Sequence, residues 1–426
     1  MPNKPESNWS LSEWLDFLEN RHLNEVQLRL VNPKIVAERM NLIDWQIPVI
    51  TVAGTNGKGS TVQALEAIYC AAGYRVGCFT SPHLLRFNER IRVNKKWISD
   101  ASLCTAFMMI EAARANTPLT YFETVFLASL LYFKESALDV IILEVGVGGR
   151  LDATNIIDAD ISVITTVDLD HQDYLGNDKE QIGFEKAGIM RANTRSIYAD
   201  ESPPASVVKH AHELGVNLYH LGVDYSFTEI QNQLCIERQD APPIVVVAPK
   251  LNLKAAVAAI LATDYLSNIL PINQSHWDFA MQNVQIMGRQ QLTEGEVNVL
   301  YDVAHNPQAV TLLANFIRKY NPKGSVHAVF SGLKDKDLNG LIRPMLSIVD
   351  RWYPAVLNSK RASDASLLAT IFQTEAGFVP VCFPDPVAAF HTAMQMAKSG
   401  DLVVVFGSFL LVGAVMEEVL NETSPI

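Results

Sequence analysis

Two rhythms of apolar residues alternate along the chain: short runs rich in valine and isoleucine, and longer stretches with an apolar position every three or four residues. The first rhythm marks buried strands and the second amphipathic helices. Ser10 and Glu13 have the spacing of a capping box ahead of Trp14, Leu15 and Leu18, so a short helix opens the fold. A second helical pattern at 35–42 leads into the β-branched run that begins at 47. Helical spacing resumes at 62–72 and stops at Gly73, strand 75–79 follows, and helices are expected at 100–115 and 121–135. The run 139–144 is too apolar to alternate between two faces, which makes it a central strand of a parallel sheet. Strand 161–167, helix 182–190 and an alanine-rich helix at 254–266 come next, with Pro203, Pro204, Pro242 and Pro243 marking turns between them.

The polar stretch 288–296 reads as an interdomain joint, after which the alternation restarts. Strands are expected at 297–301, 326–330 and 402–406, and helices at 307–320, 338–349, 364–375 and 386–397. The fold class is therefore α/β, with a mostly parallel sheet in a first domain at 1–287, a linker at 288–296 and a smaller open α/β domain at 297–426.

Strand tips carry the candidate chemistry, because in open α/β sheets ligands sit beyond the carboxyl ends of the strands. Residues 53–60 read AGTNGKGS, a glycine-rich turn between a strand and a helix. Glycines let backbone N–H groups close around phosphate oxygens, Lys58 adds a charge and Ser60 a hydroxyl for Mg²⁺. The spacing departs from the common G-x-x-x-x-G-K-[ST] form, and a solvated turn lysine is the plain alternative. Ser81 and His83 follow the next strand at its ligand-facing end, though on their own they read as turn residues. Thr120, Tyr121, Phe122 and Glu123 offer two aromatics and a carboxylate, able to stack a flat heterocycle or simply to begin a helix. Glu144 ends the central strand beside a glycine run, the position of a Mg²⁺-binding acid. His171 stands among carboxylates at the same expected edge, giving a second metal position. Lys186 reads as a surface lysine, and Asn252 either caps the alanine-rich helix or faces a ligand.

Composition narrows the partners. A net charge of −12 disfavours nucleic acid and anionic membranes, so any anion site is locally positive within an acidic body. Five scattered cysteines suit a reducing cytoplasm, and the apolar stretch 403–415, interrupted by Gly407, Ser408 and Gly413, is too short to span a bilayer. A cytoplasmic monomer is expected.

The loop AGTNGKGS resembles the nucleotide loop of the Mur ligase superfamily, and in particular the folylpolyglutamate synthase/dihydrofolate synthase family. The resemblance extends through SPH at 81–83, TYFE at 120–123, LEVGVGGRLDATN at 143–155, DH at 170–171, EKAGI at 185–189, GR at 288–289, DVAHNP at 302–307 and GSF at 407–409. It implies a P-loop domain of the Mur central type followed by a Rossmann-like domain. It implies ATP on Gly54, Thr55, Asn56, Gly57, Lys58, Gly59 and Ser60, completed by Asn252, Arg289 and Asp302 from across a cleft. Ser60, Ser81, Glu144, His171 and a carbamylated Lys186 would hold two Mg²⁺ ions, with a monovalent cation nearby. Pteroate would lie near 120–123 and near Asp152, Ala153 and Thr154, and glutamate near Asp302, His305 and Ser408. The implied reaction phosphorylates the carboxylate of dihydropteroate or of a reduced folate, and L-glutamate captures the acyl phosphate in a cleft that shuts between domains. At 26–32 the chain reads VQLRLVN where members acting on dihydropteroate carry an IDxGLxR type segment, and Leu410 follows GSF where many relatives have histidine.

Three other readings compete. A polyglutamylating enzyme without dihydrofolate synthase activity is the nearest. A cell-wall Mur ligase needs an N-terminal nucleotide-sugar domain, for which about 45 residues are too few. A nucleotide-binding regulator has no use for His305 or Lys186.

Overall fold

The structure, a computed structural model, describes residues 8–21, 29–239 and 241–423. Of the segment 26–32, residues 26–28 lie outside the described residues. The chain forms two compact units, Met1–Pro82 with Asn88–Val284, and His83–Phe87 with Gln285–Ile426.

In the first unit the main sheet contains β1 (Val49–Ala53), β2 (Val76–Phe79), β3 (Ile91–Val93), β4 (Lys96–Trp97), β5 (Val140–Glu144), β6 (Ile161–Ile164), β7 (Arg195–Tyr198) and β8 (Asn217–His220), in the order β4-β3-β2-β5-β1-β6-β7-β8. Neighbours run parallel from β2 to β8, while β3 and β4 pair antiparallel at one edge. Every residue of β1 and β5 is buried, which is why both strands read as continuous apolar runs.

Helices α1 (Leu11–Arg21), α2 (Val31–Arg39), α3 (Lys58–Ala71), α4 (Asp100–Arg114), α5 (Tyr121–Lys134), α6 (Gln172–Leu175), α7 (Lys179–Ala187), α8 (Ala205–Leu214), α9 (Leu253–Tyr265) and α10 (Gln274–Asn283) belong to this unit. The opening capping box is present: the Ser10 N–H donates to Glu13 Oε2 at 2.7 Å. Ala255, Ala256, Ala258, Ala259 and Ala262 are buried along α9, where small side chains let it pack closely on α3. An antiparallel sheet of β9 (Tyr225–Ile230), β10 (Gln233–Arg238) and β11 (Ala241–Val247) adds Leu234, Ile236, Ile244 and Val246 to the same core.

The second unit is built on β12 (Gln291–Thr293), β13 (Asn298–Asp302), β14 (Val326–Phe330), β15 (Arg351–Pro354) and β16 (Leu402–Phe406), in the order β12-β13-β16-β14-β15. All neighbours are parallel except β12, which pairs antiparallel with β13. Helices α11 (Pro307–Tyr320), α12 (Leu338–Ile342), α13 (Ala365–Ala376), α14 (Pro386–Met396) and α15 (Phe409–Thr423) cover it.

Several boundaries differ from the sequence expectation. The strand expected to 167 ends at Ile164, because Thr165 and Thr166 turn to bond the glycine loop. The helix expected at 338–349 stops at Ile342 and becomes a 3-10 turn at Arg343–Met345, where Pro344 cannot continue the α-helical ladder. Within the expected joint 288–296, residues 291–293 make the strand β12. His83–Phe87 belongs to the second unit, where Leu84 and Leu85 pack against the cluster containing Val412 and Val415.

Candidate active site

The loop between β1 and α3 is held in shape by the strand beside it. Thr55 N–H donates to Thr166 O at 2.8 Å, Asn56 N–H to Thr166 Oγ1 at 3.0 Å, and Thr165 Oγ1 to Asn56 O at 2.5 Å. Gly54 has φ +148°, and a Cβ there would lie 1.8 Å from Thr165 Oγ1, so only glycine fits. Gly57, left-handed at φ 90°, caps the N-terminus of α3. The Lys58 ammonium donates to Gly54 O at 2.8 Å and Thr55 O at 3.3 Å, which keeps the cation over the turn. Loop amides, a helix N-terminus and a lysine together make an anion cradle.

Next to this cradle the tip of β5 brings a carboxylate. A Cβ on Gly59 would stand 3.7 and 3.8 Å from the two Glu144 carboxylate oxygens, so the backbone preceding Ser60 runs beside that acid. Glu144 Oε2 also accepts the Ser81 N–H at 3.1 Å. No group of three or more His, Cys, Asp or Glu side chains suited to a metal occurs among the described residues. Mg²⁺ is commonly held by one or two carboxylates together with phosphates and water, so the oxygen donors of Ser60, Ser81 and Glu144 fit it.

His171 adopts a left-handed conformation at φ 51°, with Nε2 3.9 Å from Asp170 Oδ2. Lys186 corrects the surface reading: it is 4% exposed, on the buried face of α7 with Ile182. Burial, reinforced by the nearby Lys58 charge, pulls its pKa down to about 7, while Asp170 and Asp152 oppose the shift. Lys58, Asp170, Asp152 and Lys186 thus share one electrostatic neighbourhood.

The segment 120–123 is both a helix start and an aromatic surface. Thr120 caps α5, and Glu123 Oε2 accepts the Thr120 N–H at 2.7 Å in a capping box. Phe122 meets Phe79 edge-on at 5.6 Å. A Cβ on Gly146 would lie 2.6 Å from Phe122 Cζ and 3.1 Å from Asp152 Oδ2, so ring, glycine loop and acid converge. Asp152 accepts from Gly146 N (3.1 Å), Val147 N (3.0 Å), Thr154 N (3.0 Å) and Thr154 Oγ1 (2.7 Å), tying the glycine run to the turn that contains Ala153. Burial raises the pKa of both Asp152 and Glu123 despite these bonds.

In the second unit Asp302 accepts from Gln290 N at 3.0 Å and Ala304 N at 2.8 Å; burial raises its pKa, which Arg289 opposes. The Phe409 ring links Arg289, whose guanidinium carbon is 5.4 Å from its centroid, to His305 at 5.7 Å. His305 Nδ1 lies 3.0 Å from Val303 O, and Ser408 Oγ accepts the Leu411 N–H at 3.1 Å. Asn252 belongs to the first unit, together with the glycine loop, whereas Arg289 and Asp302 belong to the second. Its side chain caps α9, accepting from Ala255 N at 3.2 Å.

Residues 52–270 match the Mur ligase middle domain and residues 288–409 the Mur ligase glutamate ligase domain. A dihydrofolate synthase/folylpolyglutamate synthase of Escherichia coli (strain K12) is 38% identical over 418 residues, 97% of this chain and 96% of that protein. The chain belongs to the dihydrofolate synthase/folylpolyglutamate synthase family. Among solved structures, E. coli FolC in complex with DHPP and ADP superposes with a TM-score of 0.94 at 36% identity, covering 99% of this chain and 100% of that one. A bifunctional folylpolyglutamate synthase/dihydrofolate synthase with Mn, AMPPNP and L-glutamate bound gives 0.92 at 39% identity, covering 98% and 100%. No helix among the described residues is long and apolar enough to cross a membrane.

Three residues near the site lie outside the motifs of this family member. Thr165 and Thr166 shape the phosphate loop from a neighbouring strand, and their only trace is a pair of hydroxyls at a strand end. Arg90 is the last residue of the 3-10 turn Phe87–Arg90, carries no motif, and sets its guanidinium carbon 6.0 Å from the centroid of the Tyr121 ring.

Proposed function

We propose that this chain is an ATP-dependent ligase that joins the α-amine of L-glutamate to the carboxyl group of dihydropteroate and, as a second activity, to reduced folates. The observation that carries the reading is the convergence, within the first unit, of the Lys58 loop, the Glu144–Ser81 pair and the surface formed by Phe122, Gly146 and Asp152. A triphosphate cradle, a metal-type carboxylate and an aromatic surface for a flat acid are what phosphorylation of that acid needs.

ATP lies on 54–60, with Asn252, Arg289 and Asp302 as further nucleotide contacts. Lys58 turns from the Gly54 and Thr55 carbonyls to the γ-phosphate, spreading its developing charge. The substrate carboxylate attacks the γ-phosphorus, the bond to the β-phosphate oxygen breaks and ADP leaves. The glutamate amine then attacks the acyl carbon, the carbon–oxygen bond to phosphate breaks, and the amine loses a proton as the amide forms. His305 serves as the base for that proton, and Asp302 and Ser408 hold the glutamate. Ser60, Ser81, Glu144, His171 and a carbamylated Lys186 would hold two Mg²⁺ ions, whose chemistry when bound is charge neutralisation on the transferring phosphoryl group. The amine pKa of about 7 supports the carbamate, since CO₂ adds only to a neutral amine. A monovalent cation completes the site on the family resemblance. The enzyme works in the cytoplasm, a reading its free cysteines support, and as a monomer.

The second reading, polyglutamylation alone, rests on the sequence VQLRLVN at 26–32. One experiment tests both: purified protein with Mg²⁺, ATP and glutamate is offered dihydropteroate or tetrahydrofolate, and ADP release is followed. Turnover of both acids is expected. Turnover of tetrahydrofolate alone selects the second reading, and turnover of neither overturns the proposal.

A further inference from the structure

Arg90 is a cation for which the reaction as described has no use. Its main chain is locked to the turn of the metal-type site: Thr80 N–H donates to Arg90 O at 2.9 Å, and the next residue, Ser81, donates its N–H to Glu144 Oε2 at 3.1 Å. Its side chain reaches the first turn of α5, with the guanidinium carbon 6.0 Å from the centroid of the Tyr121 ring. The carboxylates of Glu144, Glu89 and Glu19 all act on it electrostatically, as does Tyr121. Arg90 therefore stands between the acid that ends β5 and the aromatic segment that begins α5.

A buried ion pair fixes that position. Arg92, two residues on in β3, is 5% exposed and its Nη2 lies 2.9 Å from Oε2 of Glu66, itself 1% exposed. Arg92 Nη1 donates to Thr80 Oγ1 and to Glu89 O, both at 2.8 Å, so the chain on either side of the 80–90 turn is tied to one guanidinium. A pair this deeply buried costs desolvation and is weak evidence for stability by itself, which leaves positioning as its contribution.

We propose that Arg90 receives the carboxylate of the acceptor acid, the group that is phosphorylated. The inference rests on the proposed ligase reading and deepens it. The flat part of the acid lies on the 120–123 segment, and its carboxylate must reach the phosphate cradle beside Glu144. That path brings a further carboxylate next to Glu144, Glu89 and Glu19, and the Arg90 guanidinium among them offsets their repulsion of it. A planar guanidinium grips a carboxylate through two parallel hydrogen bonds, which fixes the direction of the attacking oxygen as well as its charge.

The test compares binding of dihydropteroate with binding of its carboxamide analogue, in the presence of ADP and Mg²⁺, for the wild-type protein and for R90A, R90Q and R90K. A charge-assisted hydrogen bond contributes about 1.5–3 kcal/mol, so wild-type protein should prefer the acid by roughly tenfold to a hundredfold. R90A and R90Q should lose that preference while keeping carboxamide affinity and ADP affinity within about twofold, and R90K should restore part of it. In turnover, KM for the acid should rise about tenfold or more with KM for ATP unchanged. Equal loss of acid and carboxamide binding would mean that Arg90 only supports Tyr121, and an unchanged preference would mean that it does not meet the carboxylate; either overturns the inference. R90Q, which keeps a planar hydrogen-bonding side chain, decides the matter if R90A fails to fold. Wild-type protein that ligates glutamate to neither acid would instead overturn the ligase reading itself.

Discussion

Lys186 is where a single side chain departs furthest from its ordinary chemistry. Burial first and the Lys58 charge second lower its pKa to about 7. Between that value and the ordinary lysine pKa the unfolded chain holds a proton that the folded chain has released, so with the free amine stability rises with pH across that window. Below about 7 the folded chain must carry the buried charge, and the contribution is lost. The same titration would govern the proposed carbamate: at pH 8 removal of bicarbonate is expected to reduce turnover and its return to restore it, whereas below pH 7 added bicarbonate should do little. Turnover indifferent to bicarbonate at pH 8 would count against the modification. K186M is expected to lower kcat about a hundredfold or more, the scale of losing one electrostatic stabiliser of a transition state. The burial of Lys186 was legible in principle, since it falls four residues after Ile182 on one helix face. A charged residue on an apolar stripe is ordinarily given to solvent, and only the resemblance singled it out. Asn252, for which the sequence leaves cap or ligand open, caps α9, and its nucleotide contact belongs to the proposal.

At the level of elements, the glycine loop was legible because its residue types have few other uses, while the threonines that brace it come from more than a hundred residues away in sequence, as the separation of 109 for Thr165 and Asn56 illustrates. The first turn of α5 performs two tasks, closing a capping box and presenting Phe122 to Gly146. T120A should therefore destabilise the protein by about 1 kcal/mol in urea unfolding and also weaken binding of the flat acid. A destabilised variant with undiminished acid binding would separate the two tasks. The Glu66–Arg92 pair makes a stronger demand: E66Q leaves a buried guanidinium without its carboxylate and should cost roughly 3–5 kcal/mol. Strands β3, β4 and β12 are two or three residues each, too short for periodicity to register, which is why the expected sheets lacked them.

For the whole molecule, the parallel centre of each sheet could be read directly, because β1, β5, β14 and β16 are buried at every position and so spelled as unbroken apolar runs. The division of the chain was harder to read, since His83–Phe87 belongs to the second unit by packing and to the first by sequence neighbourhood. A net charge of −12 around an anion site makes ligand binding a balance between local cations and a repelling body. ADP with Mg²⁺ at a hundred times its dissociation constant should add about 2.7 kcal/mol of stability, and K58A should abolish the accompanying thermal shift. A shift that survives K58A would place the nucleotide elsewhere. The central claim is that an acyl phosphate forms, and oxygen labelling tests it most directly. With ¹⁸O in the substrate carboxylate, the account predicts one labelled oxygen in each inorganic phosphate released, because the carboxylate oxygen that attacks phosphorus departs with it. Phosphate released without label during amide formation would contradict it.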